Sequence, residues 1–209
     1  MADLLQFTLL AFSAVFVIVD PVGVVPLFIA LTPRDTPQHR LEMARRACLV
    51  AWGLLTAFAL GGSLVFTMLG VTLSAFKVAG GLFLLITAID QLRAQPARTR
   101  TTVEEQHEGL QKEDVSIVPL AMPLLAGPGS LATAVMLMSR ARGNWERGAV
   151  LVAIAITMII AYVILTMSER IARLLGTTGR LIVERLAGLI LAAIAVQFMM
   201  DGVLEAIHR

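Results

Sequence analysis

An aspartate set among prolines and glycine inside an apolar stretch is a combination that can bind a ligand. Asp20 opens DPVGVVP, Asp20 to Pro26, between the apolar runs LLQFTLLAFSAVFVIV and LFIAL. Proline removes a backbone donor and glycine tolerates positive φ, so a helix breaks at Asp20, Pro21, Gly23 and Pro26. An acid at such a place is costly unless paired or solvated. Asp20 could hold an ammonium group or carry a proton, or it could cap the second half-helix with Pro21 at its first position. The two roles are compatible. A second interrupted stretch, VPLAMPLLAGPGSLA, runs from Val118 to Ala132. Gly127, Pro128, Gly129 and Ser130 read as a helix restart with free N–H groups and a positive dipole end, which suits a carboxylate. The helix end before a break exposes carbonyls, which suit an ammonium or a cation. Two such breaks facing each other would suit a small zwitterion.

Such breaks need long helices to carry them. The chain has 209 residues, 57% hydrophobic and 15% charged, with mean hydropathy +0.82. Soluble domains carry about 25% charged residues, so the composition is that of an integral membrane protein. Six apolar segments are expected: 4–31, 44–69, 73–92, 117–138, 149–167 and 181–204. Segments one and four are discontinuous. Residues 93–114 form a polar loop between a first repeat, 1–92, and a second, 115–209. Before Leu4 there is no basic residue, so the first segment is expected to stay as a span.

Lysine and arginine set the orientation. Twelve fall in the loops after segments one, three and five: Arg34, Arg40, Arg45 and Arg46, then Arg93, Arg98, Arg100 and Lys112, then Arg170, Arg173, Arg180 and Arg185. Five fall on the other side: Lys77, Arg140, Arg142, Arg147 and Arg209. Both termini are therefore expected to be periplasmic, with Lys77 snorkelling at the outer boundary.

The two halves echo each other. An offset of 107 sets Pro21 against Pro128 and Gly81 against Gly188. VIVDPVGVVP then faces LLAGPGSLAT, and KVAGGLFLL faces ERLAGLILA. Three segments per half make the second copy enter from the opposite side, so the repeat is inverted. Inverted repeats with paired broken helices point to a transporter site at the midplane. Gly80, Gly81 and Gly188 read as close-packing sites, and Gln197 as an interhelical hydrogen-bonding residue. Small residues, Ala79, Ala126 and Ala132, would leave room for a short side chain only.

Several classes are excluded as readings. The dispersed basic residues make no nucleic-acid footprint. Cys48 is the single cysteine, so neither an internal disulfide nor a cysteine metal cluster is expected. HExxH, GxSxG, GxxxxGK[ST] and CxxC are missing, and His39, His107 and His208 share no helix face. No enzyme activity, metal or cofactor is expected, and any coupling would come from a proton or sodium gradient or from the substrate's own.

DPVGVVPLF, FKVAGGLFLL, VPLAMPLLAGPGSLA and ERLAGLILAAIAVQFMMDG together resemble the MarC family of bacterial inner-membrane proteins, which includes SnatA-type amino-acid transporters. The resemblance covers about Leu4 to Ile207. It implies an all-α fold of six spans in two inverted three-helix repeats, and transport of small neutral amino acids such as glycine and alanine. Similar proteins often carry asparagine at the position of Asp20, and an amide could serve the same cap or ammonium contact. The expected function is an inner-membrane secondary transporter of small neutral amino acids, working by alternating access and possible as a homo-oligomer in the lipid bilayer. A channel or ion pathway, and a membrane scaffold or regulatory protein without transport, are the rivals.

Overall fold

The computed structural model describes residues 2–32, 35–68, 70, 72–93 and 116–207, and no strand occurs among them. The expected loop 93–114 therefore lies outside the described residues except for Arg93.

Prolines decide where the helices stop. Helix α1 (Ala2–Val19) and helix α2 (Pro21–Leu31) are separated by Asp20 alone. Its amide closes α1 on Phe16 O at 2.9 Å, and its carbonyl opens α2 by accepting from Val24 N at 3.3 Å. Pro21 disfavours the right-handed helical region for the residue before it. Asp20 instead adopts the left-handed region, φ 49°, which aspartate tolerates better than most residues. Helix α3 (Pro37–Met68) starts well before the expected Ala44, because its polar first turns, PQHRLEMARR, continue the helix beyond the apolar block. Helix α4 (Leu73–Leu92) has the expected bounds, with Thr72 capping the Ala75 amide at 3.2 Å.

Segment four is more irregular than segment one. Over Ser116–Leu125 the chain is helical only in part, with Val118 and Met122 extended at φ −125° and −133°. Each precedes a proline, Pro119 and Pro123, which pushes it out of the helical region. Gly127, before Pro128, is extended as well, and helix α5 (Pro128–Arg140) starts there. Helix α6 (Asn144–Thr166) follows. Helix α7 (Ser168–Ile207) bends at Gly176, φ 57°, so the expected segment six is its second part.

Five of these stretches are long and apolar enough to cross a membrane: Leu4–Val25, Pro37–Gly62, Ser74–Leu92, Asn144–Thr166 and Arg185–Ile207. The expected segment 117–138 is not among them, because its breaks leave no continuous helix of sufficient length.

Packing follows membrane rather than aqueous logic. Ala44, Ala47, Ala51, Ala134 and Ala161 are fully buried, and small residues let helices approach closely. Many large aliphatic side chains also point outward; Leu60, Ile159 and Leu189 are each about 60% exposed.

Helices α4 and α7 form the tightest pairing. A Cβ on Gly81 would lie 2.8 Å from Ala195 O and 3.1 Å from Met199 N. A Cβ on Gly188 would lie 3.1 Å from Ala88 O and 3.1 Å from Leu92 N. The two contacts are the same contact shifted by 107 residues with the helices exchanged. On its other side Gly80 faces α5, where an added Cβ would meet Ala132 Cβ at 3.2 Å. Gln197 corrects its expectation. It is exposed, and its Nε2 donates at 2.8 Å to Asp201 Oδ1 on the same helix, because a four-residue spacing brings the two together on one face.

Charged pairs mark the two ends of the bundle. At one end Lys77 Nζ pairs with Glu205 Oε2 at 2.5 Å, and Arg140 pairs with Asp201. Lys77 is 7% exposed, so it does not snorkel as expected; a carboxylate on α7 holds it inward. At the other end Arg40 pairs with Glu169 at 2.5 Å, and its guanidinium also donates to Thr32 O, which closes the C-terminal end of α2.

Candidate functional site

The first break is built around one carboxylate. Asp20 is 7% exposed. Its Oδ1 accepts from the Gly23 amide at 3.1 Å, which makes it the N-cap of α2. Its Oδ2 accepts from Gln91 Nε2 on α4 at 2.8 Å. Gly23 is required by space: a Cβ there would sit 2.2 Å from Asp20 Oδ2. Pro21 is buried at the first position of α2. Pro26 lies inside α2, and its side chain is outside the described residues.

The second break is built around a hydroxyl. Gly127 is the N-cap of α5 and offers no side-chain hydrogen bond to the helix. Ser130 turns back instead: its Oγ lies 3.0 Å from Leu125 O and 2.9 Å from Gly127 O. A hydroxyl can donate to either carbonyl, so Ser130 serves the acceptors before the break. Ala126 N closes the preceding irregular turn on Ala121 O at 2.8 Å. Gly129, Ser130 and Ala132 are buried, and Pro128 is exposed.

The second break lines one small cavity, and the end of α1 reaches it just before the first. Ile18, two residues before Asp20, lines it from the first break; Leu124 and Gly127 to Ser130 line it from the second. Phe83, Leu84 and Thr87 of α4 and Leu191 of α7 complete the wall. Its volume is about 20 Å³, enough for roughly one water molecule. The cavity is closed down mainly by side chains. A Cβ on Gly129 would lie 2.7 Å from Leu84 Cδ2, so Leu84 fills the space over the Gly129 backbone. Ala126 and Ala132 are buried nearby, whereas Ala79 is on the exposed face of α4.

Gln91 is the site residue that sequence reasoning missed. The offset of 107 pairs Gln197 with Asp90 and passes over its neighbour Gln91. The better signal was helical spacing from the glycines: Gly81, Leu84, Ala88 and Gln91 recur every three or four residues and are all buried. Asp90 is half-buried and lies off that face.

Comparison with known proteins gives a consistent result along the whole chain. A family profile described as MarC family integral membrane protein matches residues 5–207. A UPF0056 membrane protein of Methanocaldococcus jannaschii is 36% identical over 97% of this chain and 98% of its own length. The UPF0056 membrane protein YvbG of Bacillus subtilis is 33% identical over 94% of each chain. The UPF0056 membrane protein YhcE of Escherichia coli is 27% identical over 92% of this chain and 89% of its own. No solved structure matches.

Proposed function

The chain belongs to the MarC family of integral membrane proteins, and from that premise we propose that it is a secondary transporter of small neutral amino acids in the bacterial inner membrane. The carrying observation is a small cavity lined by the second break, Gly127 to Ser130, and reached from the first-break side by Ile18, two residues before Asp20. The break at Asp20 supplies negative charge to an ammonium. The break at Gly127 supplies amides and a helix N-terminus to a carboxylate. No enzymatic step and no cofactor enter this reading.

The architecture proposed is two inverted three-helix repeats with six crossings, the fourth made by residues 116–140. The exchanged contacts of Gly81 and Gly188 support it. A residue i touching j′ while i′ touches j is the pattern that two-fold symmetry imposes on an interface. The helix restarts at Pro21 and Pro128 keep the same offset of 107. In this architecture both termini are periplasmic, and the charged pairs of Lys77 and Arg140 close the periplasmic end.

In the mechanism proposed, the 20 Å³ cavity is the closed form of the site. Binding requires Leu84, Phe83 and Leu191 to withdraw, and the side chains that withdraw set the size limit on the substrate. Alternating access then follows from one repeat rocking against the other. Saturable, stereoselective uptake of labelled glycine or L-alanine into proteoliposomes supports this reading. Non-saturating flux with single-channel currents would replace it with a channel, and no flux at all with a scaffold.

A further inference from the structure

Gln91 carries a feature that the packing of the helices does not account for. Its residue is 6% exposed, and its Oε1 has no hydrogen-bond partner. Buried acceptors are normally satisfied, and leaving one unserved is unfavourable. Reversing the amide does not relieve this. It would aim Oε1 at Asp20 Oδ2, oxygen against carboxylate oxygen, and lose the 2.8 Å bond. With Nε2 engaged by Asp20 Oδ2, the orphaned atom is an acceptor, and what it lacks is a donor.

The position narrows the donor. Gln91 is one turn along α4 from Thr87, which lines the cavity, and Asp20 is two residues beyond Ile18, which lines it too. Asp20 and Gln91 thus lie next to the cavity wall on its first-break side without lining it. A group reaching both meets a carboxylate and a neutral amide oxygen within one hydrogen-bonded pair. A primary ammonium has three N–H donors and a positive charge, and so can serve both at once. A quaternary ammonium has the charge and no donor.

We propose that Gln91 and Asp20 together form a primary-ammonium site, with Gln91 Oε1 as the neutral acceptor that selects N–H-bearing cations. The inference rests on the transport reading only for the natural ligand; the ammonium chemistry stands by itself. At Gly188, α7 packs close against the base of the Gln91 side chain: a Cβ there would approach Gln91 Cβ to 3.0 Å.

The test uses the full chain in detergent or nanodiscs and reads ligand-induced shifts in thermal midpoint. Probes are glycine, L-alanine, methylammonium and glycine betaine. Wild type should respond to glycine, L-alanine and, at higher concentration, methylammonium, and not to betaine. Gln91→Met should weaken L-alanine roughly tenfold or more. Equal L-alanine binding by wild type and Gln91→Met overturns the inference and leaves the transport reading intact. Betaine binding equal to glycine binding overturns it as well, even where Gln91→Met fails to fold. A Gln91-dependent response to methylammonium with none to amino acids supports the ammonium site and sinks the amino-acid reading. No response to any probe sinks both.

Discussion

The two helix breaks sit at matched positions and are finished in opposite ways. At the first, Asp20 fills the N-terminus of α2 with its own carboxylate and is tied to α4 through Gln91. At the second, Gly127 leaves the N-terminus of α5 without a side-chain cap, and Ser130 serves the carbonyls that precede it. Gly23 and Ser130 are counterparts at the offset of 107. One is the donor to a cap, and the other mends the strand of carbonyls. The difference teaches that a common backbone solution, proline at the first helical position, does not fix the charge of a site. The residue before the proline does.

The comparison presupposes that the irregular segment crosses the membrane as α1–α2 does. If so, six crossings put both termini on one side, and labelling of cysteines introduced near residues 2 and 207 should show the same sidedness in intact cells. Opposite sidedness would mean five crossings and would remove the second break from the midplane. This outcome is all-or-none.

Gly23→Val should cause the largest loss of stability. The new side chain displaces the Asp20 carboxylate, losing the cap and the Gln91 bond while overpacking the break, on the order of 3 kcal/mol or more. A melting midpoint close to wild type would show that the first break does not depend on its carboxylate.

Asp20→Ala should follow, costing about 2 kcal/mol from the lost cap and the unpaired Gln91 amide. Asp20→Asn should recover most of that loss because an amide also caps. Identical melting of the two variants would contradict the capping role.

Ser130→Ala should be smallest, about 1 kcal/mol, since a single hydroxyl donates a single bond. A loss as large as that of Asp20→Ala would mean that the two breaks are finished more alike than their geometry indicates.

Much of this was legible in the residues. Proline and glycine act locally, so Asp20–Pro21 and Gly127–Pro128 announced the breaks, and Gly81 and Gly188 were found by the same offset. The extended residues Val118 and Met122 were equally local, each preceding a proline. What the chain did not disclose depends on the neighbour across space. Lys77 looks interfacial until Glu205, 128 residues away, pairs with it. Nothing in the local sequence marks Gln91 until Asp20 is brought to it. The closed cavity also escaped the sequence, since filling it depends on where Leu84 and Leu191 point. Gln197 failed for a different reason: a nearer partner, Asp201, was available one turn away.

The central claim is that both breaks hold one zwitterion. A structure of the protein with L-alanine bound tests it most directly. The account predicts the carboxylate within hydrogen-bonding distance of the Gly129 or Ser130 amide, and the ammonium on Asp20 and Gln91 Oε1, in a cavity opened by movement of Leu84. L-alanine bound elsewhere, or bound with its ammonium away from Asp20 while the cavity stays closed, would contradict it.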